Sequence, residues 1–186
     1  MKNQFDINKL IKVGKIQSEL ELERASLAER KLKLDSKKNP KLLLKRQALR
    51  ELIYTYEKEN WSNRKNISVK QIEESDKAEK LVFSEIAFFE NRKKLITNKL
   101  KKLGLNQQEF GKILGHNSKS YTSELMNGIV PFSLKDLIII SKLLKIDLIK
   151  LIPTQIPEAD KSKIEANIKK IDKPKLKLNK EEFAFN

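Results

Sequence analysis

The chain has 186 residues, with 40 Lys+Arg against 25 Asp+Glu, a single His and no Cys, so its formal net charge is +15. A length near 150 residues per domain allows one domain or two small ones. The lack of Cys excludes disulfide frameworks, thiol nucleophiles and cysteine zinc sites, and one His excludes His triads and multi-His metal centres.

The opening Met1-Lys2-Asn3-Gln4-Phe5-Asp6 has no apolar h-region, and the longest apolar run, Leu137-Ile138-Ile139-Ile140, falls far short of the ~20 residues that span a bilayer. The expectation is a cytoplasmic, helical binding protein that contacts no membrane. Residues 7–34 read as one helix, with Leu10, Val13, Ile16, Leu20, Leu27 and Leu34 on its apolar face. Asn39-Pro40 punctuates the chain, and a second helix over 41–59 carries Leu42, Leu49, Leu52, Ile53 and Tyr56. The two fold back as an antiparallel hairpin with Trp61 covering its end, or pair with another chain as a coiled coil.

Residues 60–68 form a polar connector. Ser68 with Gln71, and Asp76 with Glu79, resemble capping boxes. A long helical pattern then runs to Leu103 through Leu81, Val82, Ile86, Phe89, Ile96 and Leu100, with room for a break near Asn91. Gly104 stops it. Phe83, Phe88 and Phe89 are expected to pack in the core. After Glu90 come Arg92, Lys93, Lys94, Lys99, Lys101 and Lys102 with no anion among them. Such a stripe attracts phosphate, although a solvated face is its simpler reading.

The stretch after Gly104 is the most informative. Asn106 caps a short helix with Glu109 three residues on, and Gly115 ends it. His116-Asn117 form a turn. Ser118 caps a second short helix, Lys119 to Met126. Ser133, with Asp136 three later, caps a third that runs to Leu144, and Ile146–Ile152 add a final turn or two. Two short helices joined by a tight Gly-containing turn and braced on both sides make a helix-turn-helix. Gly111 is small where the helices cross, and Phe110, Ile113, Leu114, Thr122 and Leu125 fill the wedge. The expected DNA-contacting residues are Gln107, Asn117, Ser118, Lys119, Ser120, Tyr121, Ser123, Glu124 and Asn127. Tyr121 either meets DNA or packs on its own helix, and His116 is a turn residue.

Over residues 96–152 this pattern resembles the Cro/C1-type (XRE) helix-turn-helix family. Leu105-Asn106-Gln107-Gln108-Glu109-Phe110-Gly111 stands where that family has leucine/threonine-glutamine-x-glutamate-leucine-alanine. The run from Gly115-His116-Asn117-Ser118 through Ser123-Glu124-Leu125-Met126-Asn127-Gly128, followed by Pro131-Phe132-Ser133-Leu134, is similar to HigA-type antitoxins. Upstream, Leu52-Ile53-Tyr54-Thr55-Tyr56-Glu57 resembles the "leucine-ile-x-x-tyrosine-glutamate" that precedes the domain in that group. The resemblance implies an antitoxin of a type II toxin-antitoxin system. Such a protein neutralises a HigB-like mRNA-cleaving toxin and represses its own operon as a homodimer on a double-stranded DNA operator. Antitoxins are often acidic to match basic toxins, and this chain departs from that pattern.

The expected fold is all-α: an N-terminal helical hairpin (1–66), a connecting helix (67–90), a five-helix lambda-repressor-like helix-turn-helix domain (91–153) and a basic tail (154–186). In the tail, Ile164, Ile168 and Ile171 mark a short helix. Lys173-Pro174-Lys175-Leu176-Lys177-Leu178-Asn179 then alternates like an edge strand or a segment ordered on binding. Either the tail or the hairpin would supply the toxin contacts. No catalytic constellation, metal site or cofactor motif is evident, so the chain is expected not to be an enzyme. A stand-alone repressor with a dimerising or sensing N-terminal region is the alternative function, and a helical scaffold with a vestigial helix-turn-helix is a second.

Overall fold

A computed structural model describes residues 5–35, 40–154, 156–171 and 173. Among the described residues the chain is all-helical: α1 (Ile7–Val13), α2 (Glu19–Asp35), α3 (Pro40–Trp61), α4 (Val69–Lys102), α5 (Gln107–Leu114), α6 (Lys119–Met126), α7 (Leu134–Leu144) and α8 (Glu158–Ile171). Single 3-10 turns lie at Arg64–Asn66 and Leu148–Lys150. The Lys-Leu alternation beyond Lys173 and the opening Met1–Gln4 lie outside the described residues.

The single helix expected over 7–34 is two helices. Gly14 takes the left-handed conformation (φ 72°) and its N–H donates to Leu10 O at 2.9 Å, which ends α1. The chain then re-enters a helix at Ser18, whose Oγ accepts from Glu21 N (3.2 Å), while Glu21 Oε2 accepts from Gln17 N (2.8 Å). The break rotates the apolar face. Leu22, Ala25, Ala28 and Leu32 are buried apolar positions of α2, Leu20 and Leu27 are half-buried, and Val13 is exposed. Two alanines in that buried row leave space for α3 and α4, both of which pack on α2.

The antiparallel hairpin of α2 and α3 is present, with Leu42 and Leu49 buried and Leu52, Ile53 and Tyr56 packed against the core. Trp61 closes it as expected, its Nε1 donating to Glu19 Oε1 at 3.2 Å. Ser68 caps α4 by accepting from Gln71 N. The Gln71 side chain reaches instead to Asn60 O, so no reciprocal box forms. Asp76 and Glu79 lie inside α4 and cap nothing, and the helix passes Asn91 unbroken. Its 34 residues span about 51 Å. That length lets one end pack on α2 while the other packs on α5 and α7. One continuous core therefore joins the hairpin to the segment after Gly104, from Ile7 and Leu32 to Phe110, Leu137 and Leu151.

Two residues of α4 do not sit where the sequence pattern puts them. Phe83 is 74% exposed rather than in the core. Arg92 is 1% exposed, so it belongs to no solvated or phosphate-facing stripe. Its guanidinium carbon lies 4.8 Å from the centre of the Phe89 ring and 4.9 Å from that of Phe132, and Nη1 donates to Leu151 O at 3.2 Å. The rings supply π faces to a desolvated cation. Burial still pushes the Arg92 pKa down to about 10. The residue ties α4 to the loop before α7 and to the closing 3-10 turn.

Candidate nucleic-acid interface

The site is built from strong local stops and starts. Asn106 Oδ1 accepts from Gln108 N and Glu109 N, both at 2.9 Å, and Glu109 Oε2 accepts from Asn106 N at 2.8 Å. This capping box fixes the start of α5 and leaves Gln107 exposed at its first position. Gly115 (φ 88°) ends α5, and Ser118 Oγ starts α6 by accepting from Tyr121 N at 3.2 Å. Ser133 and Asp136 form a second reciprocal box at α7.

At the crossing of α5 and α6, Gly111 faces Thr122. A Cβ built on Gly111 would lie 2.3 Å from Thr122 Oγ1, so only glycine fits without movement. The turn between the helices is held from a third side. His116 Nε2 sits 3.1 Å from Asp136 Oδ1, an arrangement in which the ring N–H donates to a carboxylate. Asp136 is itself buried, and its other oxygen accepts from Ser133 N. The Tyr121 ring packs edge-on against His116 at 5.1 Å. Turn, α6 and α7 are thus locked together. The sequence placed His116 in the turn but gave no sign of its partner, since Asp136 lies 20 residues on.

The expected contact residues divide into three groups. Gln107, Asn117, Ser118 and Lys119 are exposed, the last three clustered at the N-terminal end of α6. Ser120, Tyr121, Ser123 and Asn127 are half-buried. The Asn127 side chain is engaged within the chain: Oδ1 accepts from Lys93 Nζ (2.7 Å) and Nδ2 donates to Ser123 Oγ (3.3 Å). Its backbone oxygen accepts from Lys31 Nζ (2.8 Å). Burial lowers the Lys31 pKa.

Glu124 does not face outward. It is 3% exposed, and both carboxylate oxygens accept from Lys45 Nζ of α3, at 3.0 and 2.7 Å. The hairpin therefore grips the C-terminal half of α6 through Lys45 and Lys31, while the N-terminal end stays open. A pairing across 79 residues leaves no mark on local sequence, which is why Glu124 reads as a surface position there.

Residues 96–151 match a family model described as helix-turn-helix. The match covers 56 of the 186 residues and supports a Cro/C1-type helix-turn-helix in this segment. The match begins at Ile96 inside α4 and ends at Leu151, both fully buried, so it coincides with the packed unit around α5 and α6. No curated protein and no solved structure matches the chain. The helix-turn-helix match supports sequence-specific DNA-binding transcription regulation. In such domains the second helix enters the major groove with its N-terminal residues at the base edges, and that is the open end of α6. Among the described residues, no helix is long and apolar enough to cross a membrane.

Proposed function

We propose that the chain is the antitoxin and autorepressor of a type II toxin-antitoxin pair. It binds operator DNA as a homodimer through the open end of α6 and sequesters a HigB-like mRNA-cleaving toxin. The observation that carries the DNA half is the exposure of Asn117, Ser118 and Lys119 at the start of a helix braced on three sides. A dimer would set two such ends about 34–36 Å apart, one turn of the duplex. The toxin half rests on the similarity of residues 115–134 to HigA-type antitoxins.

The stand-alone repressor remains a second reading, favoured by one feature. Lys45–Glu124 and Lys31–Asn127 couple the N-terminal hairpin directly to the DNA-reading helix, as a sensing region requires. Co-expression with the neighbouring gene separates the two. Relief of growth arrest together with a stable complex supports the antitoxin. Own-promoter repression with no such complex supports the stand-alone regulator.

A further inference from the structure

Three lysines meet the C-terminal end of α6, and each comes from a different helix. Lys45 Nζ of α3 donates to both carboxylate oxygens of Glu124 (3.0 and 2.7 Å). Lys31 Nζ of α2 donates to the backbone oxygen of Asn127 (2.8 Å), and Lys93 Nζ of α4 donates to its side-chain oxygen (2.7 Å). Cations suit that position, because the C-terminus of a helix carries the negative end of its dipole. All three lysines stand outside residues 96–151, the segment that matches the helix-turn-helix family. The clamp is therefore supplied to that segment from elsewhere in the chain.

Its chemistry points to orientation more than to stability. Glu124 is the one acid in α6, and it is buried. An ion pair covered this deeply gains little over an apolar pair of similar volume, whereas it does fix how two elements register. Asn127 acts in the same sense, since two of its acceptors are taken by lysines from two different helices. The geometry makes the clamp one arm of a lever. α6 crosses α5 where Thr122 lies against Gly111. From that crossing Asn127 is five residues away and Lys119 three in the opposite direction, about 7.5 and 4.5 Å along the helix. A shift of about 1 Å at Asn127 therefore tilts α6 by about 8° and moves the Lys119 backbone by about 0.6 Å. Hydrogen bonds tolerate a spread of about 0.5 Å in donor–acceptor distance. Such a tilt spoils contacts to base edges, while attraction to phosphate, which depends on charge, survives it.

We propose that Lys31, Lys45 and Lys93 are positioning residues for sequence readout: acting through Glu124 and Asn127, they set the tilt of α6 so that Asn117, Ser118 and Lys119 meet base edges. The proposal rests on the reading of the open end of α6 as the DNA-contacting surface and takes nothing from the toxin half of the function above. None of the three lysines needs to touch DNA, because each spends its ammonium on an acceptor of α6.

The test separates readout from folding. Full-length protein is titrated with duplex DNA from upstream of its own coding sequence and with a scrambled duplex of equal length, at one salt concentration. Partial unfolding lowers both apparent affinities by the same factor, so their ratio is insensitive to it, whereas a mis-set α6 lowers the ratio. The ratio should fall about tenfold in Lys45→Met, and likewise in a Lys31→Met/Lys93→Met variant that leaves the Glu124 pair intact, while affinity for the scrambled duplex changes by less than about threefold. Lys58→Met is the charge-matched control: it removes an exposed cation 13 residues further along α3, and it should keep the wild-type ratio. If Lys45→Met does not fold, the double variant decides. A wild-type ratio in either folded variant, or an equal fall in Lys58→Met, overturns the proposal and leaves the DNA-binding reading standing. A wild type that binds both duplexes equally removes that reading, and the positioning role falls with it.

Discussion

Replacing Gly111 by Ala tests the crossing of α5 and α6 atom by atom. The new methyl would lie 2.3 Å from Thr122 Oγ1, 3.1 Å from Thr122 Cγ2 and 3.2 Å from His116 O. Thr122 cannot simply swing aside: it is buried, and its Oγ1 donates to Ser118 O at 3.1 Å. His116 O is backbone in a turn pinned by the His116 N–Gly111 O bond. Overpacking a tight site costs about 1–3 kcal/mol, here toward the upper end. Ala gains about 1 kcal/mol over Gly in a helix. The net loss is about 2 kcal/mol. Thr122→Ala removes both offending side-chain atoms and alone costs about 1 kcal/mol through its lost hydrogen bond and methyl contacts. The double variant should therefore be less damaged than the sum, with a coupling of about 1–2 kcal/mol. Urea unfolding followed by circular dichroism measures all four states. A neutral Gly111→Ala, or additivity within about 0.5 kcal/mol, refutes the close crossing.

Three further outcomes follow from buried charge. Arg92→Met keeps the volume and removes a cation whose Nε and Nη2 have no partner, so unfolding free energy should be unchanged or higher, whereas Arg92→Ala should lose about 3 kcal/mol. In the Lys45–Glu124 pair the side chains are 28% and 4% exposed, so the two deletions should be unequal. Lys45→Met strands a buried carboxylate and costs about 3 kcal/mol, while Glu124→Gln frees Lys45 to reach water and costs about 1 kcal/mol; thermal melts that rank them the other way contradict the geometry. Because burial and the nearby Glu79 raise the Glu23 pKa, its ionised form weakens the fold at neutral pH, and the stability that protonated Glu23 allows is lost as pH climbs through its folded pKa. Glu23→Gln should raise the melting temperature at pH 7 and lose that advantage below the ordinary glutamate range. An equal gain at pH 3 counts against that raised pKa.

What the sequence made legible was what local hydrogen bonds decide. Asn106 with Glu109, Ser118, and Ser133 with Asp136 each cap a helix from within four residues, so α5, α6 and α7 could be bounded from the text alone. Ser68 and Gly104 bounded α4 for the same reason. The break at Gly14 was also written locally, in a glycine followed by Ser18-Glu19-Leu20-Glu21. A continuous apolar periodicity across it masked the signal. Arg92 had one too. It stands four and eight residues before Ile96 and Leu100, on the buried ladder of α4, but a run of cations reads as surface. Glu124 had none. Its burial depends on Lys45 of another helix, as the His116 contact depends on Asp136, and only the assembled fold brings those pairs together.

DNA binding at the open end of α6 is the claim on which the functional account rests, and salt-dependent binding to duplex DNA from upstream of its own coding sequence tests it most directly. The full chain should prefer that duplex to a scrambled one of equal length, with affinity falling steeply as salt rises. Lys119→Ala and Asn117→Ala should each weaken it about tenfold, while Glu57→Gln, at the far end of the hairpin, should leave it unchanged. Equal affinity for both duplexes, or a Lys119→Ala protein that binds as wild type does, would contradict the account.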